Sequence, residues 1–450
     1  MLNYKKNKKR ILTLPQTVAL GFVAIILAGA GLLCLPFATK GNGSLSFIDA
    51  LFTSTSATCV TGLVVASTYD TFTVFGQVVI TMLIQVGGLG FMTLSSAIYL
   101  LIGKRIGLRT QLELQRDFDE DGGRRGFVRL IRKIMLISLV CESVGALILT
   151  VAFKAHGYGF LKALGVGVFT SISAFCNAGF DLTLGGGSLA EFSGNGVVLI
   201  TVMLLIVIGG IGFLVVGDVF DKGRWARLKM HTRIVLIATP VLIVTGACVF
   251  CFAEWNGVLS DMTAGEKILN AFFSSVTLRT AGFSTVDFGK LSSPSYVLSV
   301  VFMFIGASPA STGGGIKTTT FVVLLLAAVA TVRQKDEVVV SRREITKNTI
   351  RRAASTLFIG LLWVVVSFFV LCCIEQGRFS TQQLLFEEVS AFATVGLSTG
   401  ITGALSVASK VVIILSMYVG RIGMLTFCMC FAAPPSELAK IKYKQAQISV

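Results

Sequence analysis

Apolar stretches of roughly 20 residues, each long enough to cross a bilayer core as a helix, recur along this chain. Examples are Val18 to Leu35, Val197 to Val216, Ile234 to Phe252 and Leu357 to Cys373. Only 14% of the 450 residues are charged and 54% are hydrophobic, against about 25% charged in a soluble domain. Water is therefore not the main solvent of this chain. The first apolar run follows Lys5, Lys6, Lys8, Lys9 and Arg10, as in a signal peptide. No small-residue cleavage site follows it and further spans do, so the run reads as a helix that stays.

The net charge of +16 raises the question of nucleic-acid binding, and the placement of the charges answers it. Of the 39 Lys and Arg, 29 fall in five stretches: 5 in residues 1–15, 9 in 103–133, 5 in 219–235, 7 in 331–352 and 3 in 434–450. Basic connectors mark the cytoplasmic side of a membrane protein. The basicity is thus a topology signal, no nucleic-acid partner is expected, and both termini are assigned to the cytoplasm. The ten Cys are scattered through apolar runs and the two His, His156 and His231, lie far apart. Cys248 and Cys251 have the spacing of half a metal site but no second pair, so they read as small core residues, with no disulfide or zinc chemistry.

The five basic stretches cut the chain into four segments that begin and end on one side, so each crosses the membrane an even number of times. Aligning them on Gly62, Gly179, Gly282 and Gly396 exposes a repeat. The surroundings read Ser56-Ala-Thr-Cys-Val-Thr-Gly62-Leu63, Ser173-Ala-Phe-Cys-Asn-Ala-Gly179-Phe180, Val276-Thr-Leu-Arg-Thr-Ala-Gly282-Phe283 and Ser390-Ala-Phe-Ala-Thr-Val-Gly396-Leu397. A second mark follows 25, 30, 24 and 24 residues later: Gly87-Gly-Leu-Gly-Phe91, Gly209-Gly-Ile-Gly-Phe213, Gly306-Ala-Ser-Pro309 and Gly420-Arg-Ile-Gly-Met424.

Each repeat reads as an outer helix, a half-helix too short to span, a glycine loop and an inner helix. The expected outer helices are roughly 16–38, 129–153, 233–254 and 354–376, and the half-helices roughly 46–56, 162–173, 264–276 and 382–392. The fold class expected is an all-α integral membrane protein, with four parallel helix, pore-loop, helix repeats around a pseudo-fourfold pore. Repeats 16–102, 129–218, 233–330 and 354–433 are joined by cytoplasmic loops 103–128, 219–232 and 331–353, between an N-terminus of 1–15 and a tail of 434–450. That gives eight spanning helices and four half-helices.

Non-helical backbone inside a membrane is tolerated only when buried in protein or lining an aqueous cavity. Glycine can take positive φ and turn its carbonyl toward an axis, and a ring of carbonyls replaces the hydration shell of a cation. The candidate filter is Val60, Thr61 and Gly62; Asn177, Ala178 and Gly179; Thr280, Ala281 and Gly282; Thr394, Val395 and Gly396. Half-helices aim negative C-terminal ends at the cavity and favour a cation there. The loops contain no carboxylate ring, so neutral oxygens set selectivity, which suits potassium better than a divalent ion. Taken singly, each glycine also fits close helix packing.

The third inner helix is interrupted by Gly306-Ala-Ser-Pro-Ala-Ser-Thr-Gly-Gly-Gly-Ile-Lys317-Thr-Thr-Thr320. Pro309 removes a backbone donor and Gly313, Gly314 and Gly315 are poor helix formers. The stretch 306–320, with Gly306, Ser308 and Lys317 among its candidate residues, reads as a flexible plug below the filter, a static kink being the alternative. Gly315 and Lys317 are separated by Ile316 and no strand precedes them, so the Walker pattern fails. Arg421 stands where repeats 1 and 2 have Gly88 and Gly210. A charge at that depth faces water or a partner, so Arg421 is expected either to face the pore as a barrier to cations or to serve as an ion-pair partner.

With these marks in place, the chain resembles the membrane subunits of Ktr-type potassium-uptake systems in the Trk/Ktr/HKT superfamily. The signature is Arg279-Thr-Ala-Gly-Phe283 together with Ser308-Pro-Ala-Ser-Thr-Gly-Gly-Gly-Ile-Lys-Thr318, and the likeness covers essentially the whole chain. The short N-terminus matches the Ktr type better than the Trk type. The resemblance implies a homodimer with one pore per protomer, resting on a cytosolic ring of nucleotide-binding (ATP/ADP) regulatory subunits in a bacterial plasma membrane. It also implies potassium selectivity from four glycine filters, a gate at 306–320 with Arg421 as its partner, and no covalent or catalytic cofactor. Potassium is then the transported ion, and sodium an activating ion in some members. Ala310 and Gly313 depart from the pattern, exchanging small residues.

No enzyme motif is visible, and none is required. One charge moved through 100 mV is worth about 2.3 kcal/mol, so an inside-negative potential accumulates potassium unaided. The competing class is an alternating-access cation symporter. Asp117, Asp119, Glu120 and Asp121 beside Arg124 and Arg125 read as a solvated loop or as a docking face for the ring.

Overall fold

The structure is a computed structural model describing residues 13–40, 45–90, 123–183, 187–335, 337–340 and 343–431. The basic start, Phe91, the acidic residues 117–121 and the tail from 432 lie outside the described residues.

Helices occupy the expected places. The outer helices run Leu14–Leu33, Gly123–Ala155, Met230–Glu254 and Lys347–Ile374, and the half-helices Phe47–Thr58, Phe160–Phe175, Ala264–Thr277 and Thr381–Phe392. Among the described residues these four outer helices are the ones long and apolar enough to cross a membrane unbroken. At about 1.5 Å per residue, half-helices of 12 to 16 residues fall short of a roughly 30 Å hydrocarbon core. Three of the four starts carry side-chain caps, the exception being Phe160–Phe175. Ser46 accepts from the Asp49 N–H, and Thr263 with Glu266 and Ser380 with Gln383 form capping boxes.

One contact recurs between half-helix and outer helix. Ser54, Ser171 and Ser275 donate to the carbonyls of Ile26, Glu142 and Ile243, each over 2.7 Å. Each hydroxyl sits on an outer-helix glycine three residues further along. A methyl carbon on Gly29, Gly145 or Gly246 would come within 2.4, 2.5 or 2.3 Å of it. Small residues thus bring two backbones together and a hydroxyl joins them, which is how helices associate where lipid removes the hydrophobic drive. The fourth repeat does the same work differently: buried Glu388 accepts from Ser367 of the outer helix (2.5 Å) and Ser416 of the inner helix (2.6 Å).

The inner helices differ from the expectation, which broke only the third. Val407–Ile422 is followed by Met424–Phe431 at an angle of 98°, and Gly196–Ile211 by Phe213–Lys222 at 91°. The described part of the first, Val74–Leu89, ends at Gly90. The cause is the last glycine of each Gly-x-x-Gly mark: Gly90, Gly212 and Gly423 have φ of 81°, 103° and 90°, a region closed to helix and costly to other residues. The first glycine of each mark has another task. A methyl carbon on Gly87, Gly209 or Gly420 would lie 2.0, 2.0 or 1.8 Å from the carbonyl oxygen of Thr58, Phe175 or Phe392. The inner helices therefore lie directly on the half-helix ends. In the third repeat Ser293–Phe304 and Thr318–Val332 flank the irregular stretch, and a short hairpin, Val339–Val340 with Arg343–Glu344, precedes the fourth. Cys248, read as a core residue, is instead exposed on its helix, and all ten cysteines are free.

Candidate functional site

The four glycine loops converge. A methyl carbon on Gly62 would lie 2.5 Å from the Ala178 carbonyl oxygen, one on Gly179 2.9 Å from that of Ala281, one on Gly282 2.6 Å from that of Val395, and one on Gly396 2.0 Å from that of Thr61. The loops are thus arranged cyclically in chain order, and the carbonyl preceding each glycine lies against the glycine of a neighbouring loop. In every loop the glycine and the residue two before it have positive φ: Val60 56° and Gly62 98°, Asn177 58° and Gly179 68°, Thr280 65° and Gly282 78°, Thr394 52° and Gly396 89°. Val60, Thr280 and Thr394 are β-branched and strained there.

The amides, by contrast, are turned outward. Thr61 and Gly62 donate to the backbone and hydroxyl oxygens of Ser56 (2.8 and 3.1 Å), and Val395 and Gly396 do the same to Ser390 (2.8 and 3.1 Å). Ala178 and Ala281 donate to the carbonyls of Ser173 (2.7 Å) and Thr277 (3.0 Å). These six amides are thus committed to the protein, while the carbonyls of Thr61, Ala178, Ala281 and Val395 lie against the glycines of neighbouring loops.

On one side the ring opens into a cavity of about 400 Å³, lined among others by the four glycines, Asp181 and Asp287. Asp181 accepts hydrogen bonds from the Thr183 hydroxyl (2.8 Å) and N–H (3.1 Å). The rim of the fourth loop is held by Glu387, whose carboxylate accepts from the Ser398 hydroxyl, the Thr399 N–H (3.1 Å) and the Thr402 hydroxyl (3.0 Å).

On the other side lies the irregular stretch between Phe304 and Thr318. Its two ends are joined by a parallel bridge from Ile305 to Ile316 and by Thr318, which donates through its N–H to Ala307 (3.2 Å) and through its hydroxyl to the Gly306 carbonyl (2.9 Å). Buried Arg279, in the third loop, donates to the Thr318 hydroxyl (3.2 Å). The tip packs against the third and fourth glycine loops: a methyl carbon on Gly313 or Gly314 would lie 2.1 or 2.2 Å from the hydroxyl of Thr280 or Thr394. It is tethered sideways as well, through Ser308 N–H to Gly210 (3.1 Å), Thr312 N–H to Gly209 (3.3 Å) and Phe213 N–H to Ala310 (2.9 Å). Pro309 sits beside Gly212, and Lys317 folds back to donate to the Gly313 carbonyl (2.7 Å).

Arg421 donates to the carbonyls of Thr312 and Gly87 and reaches that of Gly88 at 3.5 Å. Its bonding partners here are main-chain oxygens, so of the two expected placements the ion pair is absent among the described residues. Sequence reasoning gave no role to Arg279, Thr318, Glu387 or Asp181. A lone charge just past the end of an apolar half-helix was the available signal for Arg279, and two adjacent carboxylates inside one, Glu387 and Glu388, the signal in the fourth repeat.

The fold and the site define a multi-pass membrane protein in which four re-entrant loops meet above an irregular segment. The chain belongs to the TrkH family of cation transport proteins, matched over residues 16–440, a family of transporters and not of enzymes. It is 40% identical over 438 residues to the Ktr system potassium uptake protein B of Bacillus subtilis (strain 168), covering 97% of this chain and 96% of that one. It is 36% identical over 449 residues to the potassium/sodium uptake protein NtpJ of Enterococcus hirae, covering 99% and 98%. The crystal structure of the potassium transporter TrkH from Vibrio parahaemolyticus shares the fold, with a TM-score of 0.74 at 20% identity over 95% of this chain and 86% of that one.

Proposed function

We propose that this protein carries potassium into the cell across the plasma membrane, through a filter made of the carbonyls of the Val60–Gly62, Asn177–Gly179, Thr280–Gly282 and Thr394–Gly396 loops. The observation that carries the reading is the ring itself, in which the carbonyls of Thr61, Ala178, Ala281 and Val395 each lie against a glycine of another loop. Neutral oxygens without a carboxylate among them favour a weakly hydrated monovalent ion. The relatives named for potassium uptake, and for potassium and sodium, support the same ion class.

The stretch 306–320 is the gate, its tip seated under two filter threonines and latched by Arg421. Opening is controlled by a cytosolic nucleotide-binding ring of the kind the Ktr system resemblance implies, on which a homodimer rests, with both termini cytoplasmic. Sodium serves as activator or second cargo. The deciding experiment is rubidium and potassium uptake by a potassium-deficient cell expressing Gly396→Ser, with sodium as competitor. At φ 89° and 2.0 Å from the Thr61 carbonyl oxygen a side chain disrupts the ring, so preference for potassium over sodium falls. Parental preference in a folded variant would overturn the filter.

A further inference from the structure

We propose that a groove on the second repeat binds one aminophospholipid of the surrounding bilayer, with its acyl chain along the outer helix Gly123–Ala155 and its phosphoethanolamine head at the start of the inner helix Gly196–Ile211. The inference does not depend on the reading of the glycine loops as a filter.

Two open cavities meet at this place. One, of about 510 Å³, is lined by Leu147, Ile148, Val151 and Ala152 of the outer helix and by Val197 of the inner one. The other, of about 820 Å³, is lined by His156, Glu191, Gly194 and Gly196. Asn195 and Val197 belong to both, so the two form one groove, apolar along its length and polar at one end. The helix from Leu147 to Ala155 gives the apolar part a length of about 12 Å.

Side chains around the groove fix its depth in the membrane. Tyr158 and Phe160 follow the outer helix, with the Lys162 ammonium 4.6 Å from the Tyr158 ring and that of Lys154 5.7 Å from the Phe160 ring. Aromatic rings and long basic side chains gather at the boundary between bilayer and water. Leu147 and Val151 lie one to two turns further in, 66% and 69% exposed on a helix long and apolar enough to cross the membrane. At that depth the neighbour of an exposed apolar side chain is a hydrocarbon chain.

The polar end offers a place to each sign of charge. The side chain of Asn195 caps the inner helix by accepting from the Val198 N–H (3.3 Å), which leaves the Gly196 and Val197 N–H groups without a partner among the described residues. Those groups and the positive end of a sixteen-residue helix favour a phosphate, and Gly194 and Gly196 put no side chain in its way. Carboxylates stand on either side. Glu191 is held by His156 (3.4 Å) and by the Tyr158 hydroxyl (3.2 Å). Glu266 uses Oε2 for its cap bonds to Thr263, and its Oε1 would lie 2.9 Å from a methyl carbon on Gly194. A phosphate site flanked by acceptors fits a head that carries a primary ammonium beside its phosphate. A trimethylated choline has no N–H to donate, and a glycerol head has no positive charge to set against the carboxylates.

Native mass spectrometry of the whole protein, released from bilayers with equal parts phosphatidylethanolamine, phosphatidylcholine and phosphatidylglycerol, tests the site. One phosphatidylethanolamine per protomer should stay bound, several-fold in preference to the other two. Equal retention of the three by the parent, or retention of none, would overturn the proposal without any variant being made. Val151→Trp, at an exposed position that tolerates bulk, fills the apolar part and should lose the bound lipid, whereas Leu20→Trp on the first outer helix, 52% exposed, should keep it. Glu191→Gln should retain a lipid but lose the preference for the ethanolamine head. Parental retention in Val151→Trp, equal loss in Leu20→Trp or parental preference in Glu191→Gln would each count against the groove as the binding place.

Discussion

Arg421 donates one guanidinium arm to the carbonyl of Thr312 and the other to the carbonyl of Gly87, so a side chain of the fourth repeat ties the irregular segment of the third to the inner helix of the first. Hydrogen bonds from a charged donor contribute about 1.5–3 kcal/mol each. Arg421→Ala therefore shifts the balance of the loop toward release by tenfold or more and raises resting cation leak. Rubidium efflux from vesicles, at matched amounts of folded protein, measures it; parental efflux would argue against a latch.

Gly313→Ala should also unseat the loop. The added methyl would lie 2.1 Å from the Thr280 hydroxyl and 2.5 Å from the Ala307 side chain, and overpacking of that kind costs about 1–3 kcal/mol. Elevated flux with retained fold is the expected result in the same efflux assay. Gly31→Ala, at a helix site with nothing within 4 Å, serves as the control and should match the parent.

Gly420→Ala should fail earlier, at folding. Its methyl would meet the Phe392 carbonyl oxygen at 1.8 Å, and a backbone oxygen fixed at a helix end cannot step aside as a side-chain tip does. The inner helix must move away from the half-helix, at a cost at or above the roughly 3 kcal/mol upper range of ordinary overpacking. Size-exclusion profiles in detergent should show most of the monodisperse peak lost, and a parental profile would contradict the contact.

Glu387→Gln keeps volume and removes one acceptor from the rim of the fourth loop. The amide NH₂ must face either the Thr399 N–H and Ser398 hydroxyl or the Thr402 hydroxyl, and a buried donor left without an acceptor costs about 1–3 kcal/mol. Both a lower thermal midpoint and weaker discrimination between potassium and sodium are expected. A lower midpoint with parental discrimination would confine Glu387 to structure.

Glu375, just past the end of the fourth outer helix, gives the protein a pH-dependent joint. Burial pushes its carboxyl up, but bonds from Ser406 and Ser409 and the charge of Arg378 outweigh it and hold the group below its ordinary value. A carboxylate depressed in the folded state stabilises above its unfolded pKa and loses that contribution as pH falls through the folded one. Thermal midpoints followed from neutral pH downward should fall in the acid range for the parent and fall less for Glu375→Gln; parallel curves would rule the group out.

How much of this was legible in the sequence depends on whether a feature leaves a side-chain mark. The loops and half-helices did, because four aligned glycines beside short apolar runs cannot come from one periodic helix. The bends at Gly212 and Gly423 did not, since a glycine inside a long apolar run is equally compatible with an unbroken helix, and only backbone geometry separates the cases. Arg421 was singled out by its residue type, yet its partners are carbonyls, which every residue possesses and no sequence advertises. Glu387 and Glu388 were passed over for the opposite reason: their partners are common serines and threonines that become informative only when brought together in space.

The 91° bend at Gly212 sets the helix Phe213–Lys222 crosswise to the span it follows, and its first N–H is the one that holds the Ala310 carbonyl. Its middle is bonded to the start of the next repeat through Asp218, which accepts from the Lys229 N–H and the Thr232 hydroxyl. A ten-residue helix is an arm of about 15 Å, with the Ala310 tether beside its fulcrum. Any tilt imposed at the outer end is therefore felt by the irregular segment, giving the side of the protein remote from the cavity a mechanical handle on what lies beneath the ring.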